Sequence, residues 1–322
     1  MKECETILAL DLGGTKLLIG EVDLDGRISH SRQYPTGYLT QEQELGLIYS
    51  SLDDYISKEG ISGKTPKAMG MGLIGQVDQE NGIWIMIDPD RKNPIRLSDL
   101  LEKKYGIPCS IENDVKAATL AEQIFGAGKD IDDFIYLNIG TGIAAGFIAG
   151  GELLRGFEND SGEIGHMTVN YDSNIPCACG RFGCVEAIAS GGGMNNRIGQ
   201  LKERYPGSPL ILAAKEGFVR AEQIFEQADA MDALAMKIAF DAVDAIAELI
   251  LNLVRVSAPR RVVLGGGIGG SSLVTRHLSS RLDLPVMKKV DKGVVPSELD
   301  PAKVGLIGAA AVGFLANTST LI

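Results

Sequence analysis

Asn113 and Asp114 stand where a short apolar strand after Pro108 runs into Val115-Lys116-Ala117-Ala118, a helix-forming stretch, so both fall at a helix N-terminus. Either residue is a favoured N-cap. One cap suffices, and the pair leaves one side chain over for chemistry. A carboxylate there can take the proton of a hydroxyl attacking a γ-phosphate, while a neighbouring amide holds adjacent hydroxyls. Asp114 is therefore the expected general base.

Two glycine loops could hold the phosphates. The first reads Asp11-Leu12-Gly13-Gly14-Thr15-Lys16 and the second Asn138-Ile139-Gly140-Thr141-Gly142. Without Cβ atoms, backbone amides can approach phosphate oxygens, and two such hairpins facing each other across a cleft could grip a triphosphate from both sides. Gly13, Gly14, Gly140 and Gly142 could instead only supply positive φ at hairpin turns. Asp11, ending a buried strand, is costly there unless it meets a cation such as Mg²⁺ or caps the amides of its own loop. A third cluster, Gly265-Gly266-Gly267, follows Val262-Val263-Leu264 and suits close approach by a nucleoside. Gly305, Gly308 and Ala309-Ala310-Ala311 read as tight helix packing.

Ser161-Gly162-Glu163-Ile164-Gly165-His166 followed by Cys177-Ala178-Cys179-Gly180-Arg181-Phe182-Gly183-Cys184 offers three thiols and one imidazole. His166, Cys177, Cys179 and Cys184 form a closed tetrahedral zinc set, which leaves no position for activated water and is structural. A disulfide or a redox thiol pair is the competing reading. Gly180 and Gly183 would let the loop curl around one ion.

Strands, turns and helices must position these groups. Strand, glycine loop, strand and tight turn recur in the two halves: Ile7 to Val22 with Asp25-Gly26, then Phe134 to Leu154 with Gly150-Gly151. Leu45, Ile48, Leu52 and Ile56 follow at helical spacing, as do Met236, Phe240, Val243, Ile246, Ile250 and Leu253. Both halves are α/β. With 322 residues and 45% apolar content the chain can bury a large core, in one domain or two lobes. A net charge of −11 opposes nucleic acid and anionic lipid as partners. The start at Lys2-Glu3-Cys4-Glu5 lacks a leader pattern, no stretch is long enough to span a bilayer, and the clustered thiols suit a reducing cytoplasm.

Taken in order, these motifs resemble the ROK group of repressors, open reading frames and sugar kinases over nearly the whole chain. The resemblance implies a duplicated ribonuclease H-like (actin-like ATPase) fold with two lobes around a central cleft. Residues 1–114, joined by a C-terminal helix at about 304–322, would form the small lobe, and 115–303 the large lobe with its zinc loop. It implies ATP with Mg²⁺, phosphate contacts from the two loops including Thr15, Lys16 and Thr141, and an adenosine segment at Gly265 to Gly267. It further implies sugar contacts from Gly75, Asn113, Asp114, Glu163, His166 and Glu186, zinc ligation by His166, Cys177, Cys179 and Cys184, and a homodimer.

Two departures bear on the substrate. The family's Gly-x-Pro-Gly loop reads Gly72-Leu73-Ile74-Gly75 here, and its Asn-Leu pair with a nearby tryptophan is replaced by Ile87-Asp88-Pro89-Asp90-Arg91-Lys92-Asn93-Pro94, with Trp84 earlier and expected in the core. Such loops can reorder hexose preferences. Glucose is the first expectation; N-acetylglucosamine, N-acetylmannosamine and fructose are alternatives, as is a sugar-sensing regulator without catalysis. The family's repressors carry a helix-turn-helix module before the first loop, for which the ten residues ahead of Asp11 leave no room.

Overall fold

Thr-Ile-Leu-Ala-Leu-Asp-Leu forms β1 (Thr6–Leu12), buried at every residue except Asp11, as a strand covered on both faces must be. In the computed structural model, which describes residues 5–59 and 66–319, β1 is the centre of the first of two five-stranded sheets. Its other strands are β2 (Lys16–Asp23), β3 (Ile28–Pro35), β4 (Ala68–Leu73) and, after a hairpin of β5 (Gln76–Asp78) and β6 (Ile83–Met86), β7 (Cys109–Asn113). The order is β3-β2-β1-β4-β7. β1 runs antiparallel to β2 and parallel to β4, and the latter register sets Asp11 beside Gly72.

The second sheet uses β8 (Phe134–Ile139), β9 (Ile143–Ala149), β10 (Glu152–Leu153), β11 (Arg261–Gly265) and β12 (Val294–Pro296), in the order β10-β9-β8-β11-β12. β8 is antiparallel to β9 and parallel to β11, so the duplication read from the glycine loops extends to sheet topology. The 25-residue helix Ala233–Ser257 buries Leu234, Ile238, Val243, Ile246, Ile250 and Leu253 in the core of this half, with Asp232 accepting from the Ala235 amide at 2.9 Å as its cap. Met236 and Phe240, expected in the same stripe, lie at its half-exposed edge.

Two units result. One comprises Met1–Asp130, Leu153–Ser161 and Leu299–Ile322; the other comprises Ile131–Glu152 and Gly162–Glu298. The division therefore differs from the expected 114/115 boundary. The helix Asp114–Phe125 stays with the first unit because it packs on the C-terminal helix Val304–Ser319: a Cβ on Gly308 would come within 2.6 Å of the Ala117 carbonyl. The same helix lies so close to β4 that a Cβ on Gly70 would overlap the Ala309 carbonyl. The small residues serve packing, as read. Lys2 to Cys4 and the last three positions of the helix expected at 304–322 fall outside the described residues. Among the described residues, no helix is long and apolar enough to cross a membrane.

Candidate functional site

In the first unit, Gly72 separates Asp11 from Asp114. A Cβ built on it would lie 3.7 Å from Asp11 Oδ1 and 3.8 Å from the Asp114 Cα, so the expected cation ligand and general base flank one bare backbone position. Burial pushes the Asp11 carboxyl up to about 6, with Lys16 opposing the shift. Gly305 lies against that carboxylate, where a side chain could not fit.

Asn113 performs the cap. Its Oδ1 accepts from Val115 and Lys116 amides at 3.1 and 3.2 Å, and its Nδ2 donates to the Gly75 carbonyl at 3.1 Å. Asp114, the first residue of the helix, accepts from the Val115 amide at 2.9 Å. Gly75 has φ of 88° and packs on the Met86 and Ile87 carbonyls, so only glycine suits it. Ile74, standing where the family has proline, donates its N–H to the Leu12 carbonyl at 3.0 Å, a bond proline could not make. Trp84 is wholly buried and donates Nε1 to the Ile74 carbonyl at 3.0 Å.

Sequence reasoning missed the residues that hold this corner together. Glu112, fully buried, pairs with Arg155 at 3.1 Å and accepts from Asn159 Nδ2 at 2.7 Å. Lys116 Nζ donates to the Asn159 and Ser161 carbonyls, both at 2.9 Å. These bonds bring Leu153–Ser161 back to the strand and helix that carry Asn113 and Asp114. A buried Glu and Lys four residues apart on either side of the motif were the available signal.

Neither glycine loop is explained by backbone strain. Gly13, Gly14, Gly140 and Gly142 all lack positive φ. A Cβ on Gly140 would meet nothing within 4 Å, and those on Gly13 and Gly14 would make only ordinary contacts, at 3.8 and 3.7 Å. The first loop is closed by the Gly13 amide donating to the Lys16 carbonyl at 3.0 Å, and Gly14 and Thr15 at its tip both face solvent. In the second unit, the Gly140 carbonyl accepts from the Gly191 amide at 2.8 Å, and Glu186 Oε2 accepts from the Ile143 amide at 2.9 Å while packing on Gly142. The third cluster differs. Gly265 is required by the Tyr136 ring packed on it and Gly266 by φ of 74°, and the helix they open, Gly266–Gly269, is one turn long.

The cysteine loop lies in the second unit. His166, Cys177 and Cys179 bring their donor atoms within 4.8 Å of one another. Cys177 Sγ is 3.5 Å from His166 Nδ1, and Cys179 Sγ is 3.6 Å from Cys184 Sγ. A tetrahedral ion with bonds of about 2.0–2.3 Å needs donors about 3.5–3.8 Å apart, so both separations fit zinc. Cys184 stands outside the mutually close trio, its buried thiol directed at the His166 carbonyl at 3.3 Å. Hydrogen bonds from Arg181 hold the exposed Cys179 thiol down at about 6, whereas burial pushes Cys184 up to about 12. Gly180 and Gly183 have φ of 84° and 71°, the left-handed curl the spacing requires. A cavity of about 310 Å³ is lined by Cys177, Glu186 and Thr141, which places the cysteine loop beside the second glycine loop. Glu163, exposed, precedes the short turn Ile164–His166.

A family model described as ROK family matches residues 7–314. A glucokinase of Thermotoga maritima is 30% identical over 95% of this chain and 96% of its own length. A xylose repressor of Caldicellulosiruptor bescii is 25% identical over 82% of this chain and 66% of its own. Among solved structures, a ROK family glucokinase from Streptomyces griseus in complex with glucose and AMPPNP is 27% identical, with a TM-score of 0.77 over 96% of this chain and 99% of that one.

Proposed function

Because the chain belongs to the ROK family, we propose that it is an ATP-dependent sugar kinase, with the 6-hydroxyl of glucose as its first candidate acceptor. The observation that carries this reading is the division of labour at the head of the helix Asp114–Phe125. Asn113 satisfies the helix amides and fixes the Gly75 loop, so Asp114 is not needed as the cap and can take the proton of the attacking hydroxyl. Across Gly72, Asp11 is the carboxylate assigned to Mg²⁺, whose charge would offset that of the phosphates. Amides of Gly13, Gly14, Thr15 and Lys16, and of Gly140, Thr141 and Gly142, are assigned to phosphate oxygens, and Gly265 to Gly267 to the nucleoside. Open space and ordinary φ at Gly140 support the assignment, because nothing among the described residues demands glycine there.

The residues assigned to sugar hydroxyls are Gly75, Asn113, Asp114, Glu163, His166 and Glu186. His166, Cys177, Cys179 and Cys184 are assigned to one structural zinc, supported by the donor spacings above. With Nδ1 on the metal side, His166 keeps Nε2 for a sugar hydroxyl. Assembly as a homodimer belongs to the same reading.

A coupled ADP-release screen with MgATP against hexoses and N-acetylhexosamines tests it, with Asp114→Asn run in parallel. One sugar turned over well above the rest, and silent in the variant, supports the kinase. The likeness to a xylose repressor favours a second reading, a sugar-sensing regulator; sugar binding by calorimetry, with no ADP formed from ATP in the presence of any sugar, would select it.

A further inference from the structure

Beside the first glycine loop, the first unit forms an open cavity of about 250 Å³. Glu44, on the helix Gln41–Glu59, lines it and is only 4% exposed, yet its Oε2 has no hydrogen-bond partner. Burial raises the Glu44 pKa, with Arg91 opposing. A buried carboxyl without a donor is costly, and such an atom marks a place where something else is meant to bind.

Nearby polar groups are already engaged. Gln41 donates Nε2 to the Trp84 carbonyl at 3.0 Å and accepts from the Asn93 amide at 2.5 Å. Arg91 directs Nε and Nη2 at Asp88, at 2.8 and 2.6 Å, and Nη1 at the Leu39 carbonyl at 3.2 Å. An anion would find Glu44 repulsive and the guanidinium occupied. Of the remaining walls, the tip of the first glycine loop, Gly13 to Thr15, offers backbone, and the side opposite it suits a neutral ring: Ile74 and Ile87 are apolar, and Tyr38, 79% exposed, is backed by Arg91 at 4.2 Å from its centroid.

We infer that this cavity reads part of the hydroxyl pattern of a neutral sugar beside the first glycine loop, and that Glu44 takes one of its hydroxyls as the missing partner. The inference rests on the sugar-kinase reading. It places specificity in Glu44 and in the altered positions Ile74 and Ile87, since the cavity adjoins the Gly75 loop through Ile74.

The test measures kcat/KM for the preferred sugar and its monodeoxy analogues with wild type, Glu44→Gln and Glu44→Ala, beside their melting temperatures. Wild type should lose about 100-fold or more on one analogue, because a buried polar group is then left unpaired. In Glu44→Ala that penalty should collapse to within about threefold, through KM for the sugar, with KM for ATP unchanged; Glu44→Gln should keep part of it. Equal discrimination by wild type and a folded Glu44→Ala overturns the inference, and if the alanine variant does not fold, equal discrimination by the isosteric Glu44→Gln does so. Should no sugar be phosphorylated by wild type, the kinase reading fails, and the same deoxy series followed by calorimetry without ATP still decides whether Glu44 reads a hydroxyl.

Discussion

The Asp11 carboxylate lies against Gly305, the second residue of the C-terminal helix, so closely that a Cβ on Gly305 would overlap it. The fold thus keeps a carboxyl in a crowded place where its pKa climbs from 3.8 to about 6.

A carboxyl with a raised folded pKa is the reverse of the usual acidic group. Between about pH 4 and 6 the folded chain holds more of its proton than the unfolded chain, so stability falls as pH rises through that window and the loss is complete above it. Asp11→Asn should therefore raise unfolding stability at pH 7.5, by about 3 kcal/mol at most, while abolishing Mg²⁺-dependent turnover. Urea unfolding at pH 7.5 and pH 4 checks this, and a stability gain of equal size at both would show that the carboxylate is not the cause.

Asn113 and Asp114 should separate by phenotype. Asn113→Ala removes the cap and the Gly75 bond and should cost about 1–2 kcal/mol of stability. Asp114→Asn should leave stability within about 0.5 kcal/mol and lower kcat by about 10²–10⁴. Denaturation and steady-state kinetics on both variants decide it; a fully active Asp114→Asn would remove the general base.

Gly140→Ala places a methyl group in open space at an ordinary φ. Melting temperature should be unchanged, and KM for ATP should rise by about tenfold or more, the equivalent of one lost backbone contact of about 1.4 kcal/mol. Unchanged ATP kinetics would return this glycine to a merely local role.

One zinc per chain should be found by elemental analysis of purified protein. Cys177→Ser or Cys179→Ser should lower that stoichiometry and the melting temperature together, and a strong chelator should reproduce the effect in wild type. Full-length protein with no zinc and an unchanged melting temperature after chelation would eliminate the metal.

How much of this was legible beforehand follows from the range of each interaction. β1, β2 and both glycine loops are local patterns, and the sequence carries them openly. So is the Asn113-Asp114 pair, although only the observed bonds assign the cap to Asn113. The return of Leu153–Ser161 to the first unit was hidden, because the Glu112–Arg155 and Lys116–Ser161 contacts join positions with no shared periodicity. The observed division departs from 114/115 for the same reason: Gly308 meeting Ala117 is a close approach between segments far apart in sequence. Gly265 and Gly266, assigned to the nucleoside, also answer packing and φ demands that no spacing rule announces.

The first unit is assembled from three stretches of chain, the last of them beginning at Leu299. On the ribosome, β1 and β4 emerge before the second unit, yet the helix that covers Gly70 and packs against Ile7 is translated only after it. The whole of the second unit is made in the interval. The half begun first must therefore be finished last, with an apolar sheet face waiting for its cover. Ribosome-stalled chains that end at Glu298 and carry a spacer long enough to clear the exit tunnel should accordingly show a protease-resistant second unit beside a first unit still open to cleavage.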